Sequence, residues 1–249
     1  VDKFNSLLFS DDKLSILVNS EHTAIDEELL NVIKDITGKP LHFIIYTHFH
    51  GDEQQNPILF DINQPIYIVH KNTLKRIAKD EELNPLKNFN IISFEDRFDL
   101  STDGEEIQII HLPKAHTDGD LVVYFKKSNV FFTGNLFYSK SYPFIDTISG
   151  GTISGYIDAL NSITKIIDGK TVVIPGNGKS SNEDVVKKFR KMIVNSRNRI
   201  ELQIHAEKQL NIILDEKPLS DFDTGRWGRG IISSNDFVKN LYRALKKAE

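Results

Sequence analysis

Tyr46-Thr47-His48-Phe49-His50-Gly51-Asp52-Glu53 follows directly on Leu41-His42-Phe43-Ile44-Ile45. The second segment is apolar, β-branched and aromatic, which reads as a buried strand. Two histidines and two carboxylates therefore sit where a strand opens into a loop. In extended chain, residues i and i+2 project to the same side, so His48 and His50 aim at one point while Phe49 packs the other way. Gly51 allows a turn that returns Asp52 toward that point. Two imidazoles and a carboxylate converging at a strand end form a donor set for a borderline-soft divalent ion such as zinc. A short motif also fits a pair of loop histidines with an N-capping Asp, so the rest of the chain decides its weight.

Leu112-Pro113-Lys114-Ala115-His116-Thr117-Asp118-Gly119-Asp120 is the next informative stretch. It lies between two apolar runs, 107–112 and 121–125, and again places a histidine in a loop at a strand end. His116 alone reads as a turn residue. Beside His48 and His50 it completes three imidazoles, which with a water make a catalytic zinc shell.

Working outward, runs at 6–9 and 14–18 flank the polar Ser10-Asp11-Asp12-Lys13 and predict a β-hairpin. Ile25, Leu29, Val32, Ile33 and Ile36 have helical spacing, stopped by Gly38-Lys39-Pro40. A strand over 64–69, a helix over 71–79 and strands at 91–94, 98–100, 107–112, 121–125 and 130–132 follow. Helices are predicted over 153–167, about 182–210 and 235–247, with a buried strand at 171–174. This order fits an α/β layered sandwich, taken as one domain of two packed halves, roughly 1–133 and 134–249.

The 249 residues carry 31 basic and 35 acidic side chains, net −4, which gives no electrostatic footprint for nucleic acid or an anionic membrane. No apolar run reaches the roughly 20 residues that span a bilayer. The absence of cysteine excludes disulfides, thiolate ligands and cysteine nucleophiles. The sequence starts at Val1 rather than Met, which is compatible with a removed leader or with trimming, and a soluble, periplasmic or secreted protein is weakly favoured over a cytoplasmic one. His42, His70 and His111 lie in or next to strands and read as packing or edge residues, His22 and His205 as solvated. The aromatic group Phe137, Tyr138, Tyr142 and Phe144 reads as core or pocket lining, and Arg226 and Arg229 beside Trp227 as a weak anion-binding candidate.

Thr47-His48-Phe49-His50-Gly51-Asp52, Ala115-His116-Thr117-Asp118-Gly119-Asp120, Val130-Phe131-Phe132-Thr133-Gly134-Asn135-Leu136-Phe137 and Val173-Ile174-Pro175-Gly176-Asn177-Gly178 occur in that order. Together they resemble the metallo-β-lactamase-fold superfamily over nearly the whole chain. Tyr142-Pro143-Phe144-Ile145-Asp146, Gly150-Gly151 and Gly155-Tyr156 resemble its hydrolase-like branch. The resemblance implies an αββα sandwich with a metal site at one edge of two sheets. Three positions depart from the family pattern. Glu53 stands where a histidine is usual, Asn135 where a bridging Asp or Cys is usual, and Asn177 where Gly-His-Gly is usual. The three-histidine site is thus complete, while the second site keeps Asp52 and loses its other ligands. A neutral amide brings no charge to offset desolvation of a divalent ion.

Two readings follow. In the first, the chain is a hydrolase with one zinc ion on His48, His50 and His116, acting on an ester, amide or lactam bond of a small molecule. Asp52 orients or deprotonates the water, Glu53 supports it or holds a weak second ion, and Asn135 and Asn177 donate to a substrate oxyanion. In the second, the chain is a catalytically inactive pseudoenzyme or a binding domain on the same fold.

Overall fold

The computed structural model describes residues 5–19, 27–50, 65–78, 90–225 and 227–247. Strands β1 (Ser6–Ser10) and β2 (Ser15–Asn19) form the predicted hairpin. Helix α1 (Glu27–Thr37) ends at Gly38, whose φ of 68° is the left-handed stop expected of glycine. Strands β3 (Phe43–Tyr46), β4 (Ile66–His70) and β5 (Asn90–Phe94) complete a sheet of order β1-β2-β3-β4-β5, parallel from β2 onward. Helix α2 (Lys71–Ile77) follows β4 without a break, capped by the His70 ring.

The second sheet has order β10-β9-β8-β7-β6, from β6 (Arg97–Ser101), β7 (Glu106–His111), β8 (Leu121–Phe125), β9 (Val130–Phe132) and β10 (Val172–Ile174). Its pairs are antiparallel except β9 with β10. Helix α3 (Ile153–Ile166) is the crossover between β9 and β10, as a parallel pair requires. The predicted helix over 182–210 is shorter. Asn182 caps α4 (Glu183–His205), but Glu207 takes a φ of 57°, and a separate α5 (Leu210–Asp215) begins beyond it. Helices α6 (Ser220–Thr224) and α7 (Ser234–Lys246) close the chain.

Strand alternation divides the apolar side chains among three layers. Ile16, Val18, Ile45 and Ile68 meet Ile107, Ile109, Leu121, Val123, Phe125 and Phe132 between the sheets. Leu17, Ile44 and Tyr67 face the other way, onto Ile33 of α1. Val122, Phe131 and Val173 face a larger core built from α3, α4 and α7, including Tyr156, Phe189 and Phe237. The result is helix, sheet, sheet, helix. Sheets covered on both faces explain why β2, β3 and β8 read as continuous apolar runs. No helix among the described residues is long and apolar enough to cross a membrane.

Candidate metal centre

The C-terminal ends of β3, β7, β9 and β10 deliver loops to one edge of the sandwich. The Thr47 carbonyl accepts from the Leu121 amide at 2.7 Å, fixing the histidine loop of the first sheet to the second. Gly134 has a φ of 52°, and a Cβ there would stand 2.9 Å from Thr47 Oγ1, so only glycine lets the two loops approach. Gly176 N donates to Gly134 O at 2.8 Å. Asn5 donates from Nδ2 to the Pro175 and Gly178 carbonyls at 2.9 and 2.7 Å, bracing the loop that carries Asn177.

His48, His50 and His116 converge, with one ring nitrogen of each within 4.8 Å of the others. Their ring planes are near perpendicular, at 73° to 88°. The partners on the outer side fix the tautomers. His116 Nδ1 lies 2.7 Å from the Phe144 carbonyl, which can only accept, so Nδ1 carries the hydrogen. His50 Nε2 lies 2.9 Å from Asp146 Oδ2. Burial pushes the Asp146 carboxyl up, but hydrogen bonds from His50 and Ser149 outweigh it and hold the group well below the usual carboxylate range. Asp146 is therefore an anion, and His50 carries its hydrogen on Nε2.

His50 Nδ1 and His116 Nε2 then face each other at 2.9 Å, each presenting the ring nitrogen that the outer partner leaves over. Two opposed lone pairs repel unless a proton or a cation shares the space. His48, buried, has Nδ1 3.1 Å from Thr47 Oγ1 and accepts at Nε2 from Asn135 Nδ2 at 3.2 Å. The buried Asn135 Oδ1 has no hydrogen-bond partner among the described residues. Half a turn of the amide exchanges its two atoms, turning an oxygen toward His48 in place of the N–H. Three converging imidazoles, the buried unpartnered oxygen of Asn135, and carboxylate or carbonyl support behind two of the rings fit a divalent cation.

A family model described as the metallo-beta-lactamase superfamily matches residues 20–178. The chain belongs to the metallo-beta-lactamase superfamily. Solved structures of the same fold include the metallo-beta-lactamase from Pontibacter korlensis, with TM-score 0.63 and 15% identity over 78% of this chain and 88% of that one. The metallo-beta-lactamase from Hirschia baltica has TM-score 0.60 and 21% identity over 76% and 85%. The metallo-beta-lactamase IND-7 has TM-score 0.63 and 20% identity over 77% and 86%. No curated protein matches the sequence. Helices α4 to α7 lie beyond the matched residues of the superfamily domain.

Of the superfamily positions singled out in the sequence, the structure brings His48, His50, His116 and Asn135 together. Asn177 is buried on the neighbouring loop, where its carbonyl accepts from Ser139 N at 3.2 Å. Asp52 and Glu53 lie outside the described residues, as do His22, Arg226 and the side chain of Arg229. Phe137, Tyr138 and Tyr142 are core, whereas Phe144 is 42% exposed, its ring 6.3 Å from that of His116. Asp120 is shaped for the turn rather than the site. Its carboxylate accepts from Thr117 N and Oγ1 at 2.8 and 2.6 Å, and burial pushes it up to about 8. Asp118 ties the His116 loop to α2 through a bidentate pair with Arg76, at 2.9 and 2.6 Å. Sequence reasoning gave no role to Asp146. Its only local signal is the Asp-x-x-Ser turn, in which Oδ1 accepts from Ile148 N and Ser149 N.

Proposed function

We propose that this superfamily member is a hydrolase of small molecules in which His48, His50 and His116 hold one divalent ion, zinc by its donor set. The observation that carries the reading is the convergence of His48, His50 and His116, with His50 Nδ1 and His116 Nε2 only 2.9 Å apart and each of these two rings held by an acceptor on its far side. Such outer partners fix ring orientation and raise ligand basicity. When bound, the ion supplies Lewis acidity, polarising a carbonyl and bringing the pKa of a water toward neutrality. Asp52, two residues beyond His50, takes the part of the group that orients the attacking water and accepts its proton. Glu53 supports it from the next position. Asn135 and Asn177 offer amide hydrogens to the oxyanion that forms as an ester, amide or lactam bond is attacked. Phe144 and Ile148, the latter 90% exposed, give the loop beside His116 an apolar rim suited to a substituent of the substrate.

A second ion has weaker support. Positions 135 and 177 are neutral amides, and Asn135 donates to the His48 lone pair that an ion would use. That contact favours the alternative of a non-catalytic binding domain. Metal analysis separates the two: the hydrolase reading expects about one zinc per chain, lost in His116→Ala. A protein that takes up no zinc at any loading supports the binding domain instead. The triple variant Glu53→His, Asn135→Asp, Asn177→His should add a second ion, and uptake of no more than one would refute the assignment of those positions.

A further inference from the structure

The residues that orient His50 and His116 flank a single position, Ile145, and that position is gripped by a helix outside the matched domain. Asn240 of α7, buried at 9% exposure, donates from Nδ2 to the Ile145 carbonyl at 2.7 Å and accepts at Oδ1 from the Ile145 amide at 2.9 Å. One side-chain amide thus occupies both polar backbone atoms of a residue, as a neighbouring strand would.

Peptide units are planar, so each bond fixes the group at the other end of the same plane. The plane that carries Ile145 N–H also carries the Phe144 carbonyl, which takes the hydrogen of His116 Nδ1. The plane that carries the Ile145 carbonyl also carries Asp146 N–H, which donates to the His116 carbonyl at 2.9 Å. The carboxylate behind His50 hangs from the next Cα. Asn240 therefore holds one end of two successive planes whose other ends hold His116. Two further contacts bring α7 to the same segment. Phe237 stacks on Tyr142 with centroids 4.9 Å apart, and Lys247 Nζ donates to the Thr147 carbonyl at 2.7 Å. Residues 143–146 belong to no helix or strand, and beyond them the Asp146 carbonyl accepts from Gly151 N at 2.8 Å.

We propose that Asn240 is a positioning residue of the three-histidine centre, setting the tautomers and directions of His50 and His116 through Ile145. Its consequence for metal affinity rests on the metal reading above; its consequence for the rings does not. The test is ¹⁵N NMR of the histidine rings in the metal-free full chain, followed by zinc affinity by competition with a chromophoric chelator. The wild type should show His116 protonated at Nδ1 and His50 at Nε2. In Asn240→Leu both rings should average between tautomers while His70 and His111 keep their signals, and zinc affinity should fall about 10- to 100-fold. Val238→Ala, also buried in α7, serves as the control: it should lower Tm yet keep the wild-type ring signals and affinity. Asn240→Ala replaces the leucine variant if that does not fold. Wild-type tautomers in the Asn240 variants, or a loss of affinity no larger than that of Val238→Ala, would overturn the proposal. A wild type that binds no zinc overturns the metal reading alone, and the ring signals still decide the role of Asn240.

Discussion

Acidification from about pH 7 to about pH 5 should cost the protein about 2 kcal/mol through one side chain, His70. His70 ends β4 and is fully buried. Its ring stacks on His111 with centroids 3.6 Å apart and planes 15° from parallel. Nδ1 accepts from Asn72 N at 3.2 Å, capping α2, and Nε2 has no hydrogen-bond partner among the described residues. A protonated ring would lose the cap, because Nδ1 would no longer accept, and would place a charge where no water reaches. Burial, then the neighbouring His111, pull the ring down from 6.5 to about 4. The folded state thus binds fewer protons than the unfolded chain between those values. Stability from this group is present above the unfolded pKa and is lost as pH falls from 6.5 toward about 4.

At about 1.4 kcal/mol per pKa unit, the full difference is worth about 3 kcal/mol, of which about 2 has gone by about pH 5. With a urea m-value of about 2–3 kcal/mol/M, the midpoint should fall by roughly 0.7–1 M. The comparison protein is His70→Asn, which keeps an oxygen able to accept from Asn72 N but does not titrate. Urea unfolding of both proteins, with EDTA present so that proton competition at the three-histidine site plays no part, gives the difference in midpoint against pH. The variant starts lower because the aromatic stack is gone, but the gap should close on acidification. Parallel loss of stability in the two proteins would refute the assignment of the pH dependence to His70.

Asp146→Ala should weaken zinc binding by about 10- to 100-fold, read by chelator competition, because His50 loses the acceptor that fixes its tautomer. Gly134→Ala should lower stability by about 1–3 kcal/mol in urea titration. Its new Cβ would meet Thr47 Oγ1 at 2.9 Å at a left-handed φ, and the damage should reach His48. Phe189→Ala should cost about 3–5 kcal/mol by the same assay. That ring is fully buried among Phe137, Tyr156 and Trp227, at centroid distances of 5.3, 6.4 and 5.8 Å.

The sheets were legible because each strand carries its own signal. In β2, β3 and β8 both faces are covered, so β-branched runs are unbroken and bounded by turn residues. The break between α4 and α5 was not. Nothing between His205 and Leu210 is a proline or glycine, and Glu207 adopts its left-handed φ in a turn closed by Lys208 N on the Gln203 carbonyl. Apolar spacing continues across it, since Ile204 and Ile213 both face the same core. Periodicity reports which face is buried and is blind to a turn that preserves the facing.

The site divides along a different line. A metal-binding side chain must come from very few residue types, so His48, His50 and His116 stand out even when 66 residues separate His50 from His116. A partner that orients a ligand need only accept one hydrogen, and any backbone carbonyl can do so. The Phe144 carbonyl therefore leaves no mark in the sequence, and Asn240, which acts on the peptide planes around Ile145, leaves less. The same asymmetry bears on Asn135. As a departure from the family pattern it reads as a lost ligand. In the fold it also donates to His48 Nε2 and leaves Oδ1 unpartnered, so the amide competes with a cation in one orientation and faces it with oxygen in the other. Replacing it with Ala should remove the competing N–H along with the oxygen. Zinc affinity of Asn135→Ala above wild type means that competition dominates; affinity below wild type means that the oxygen contributes to holding the ion.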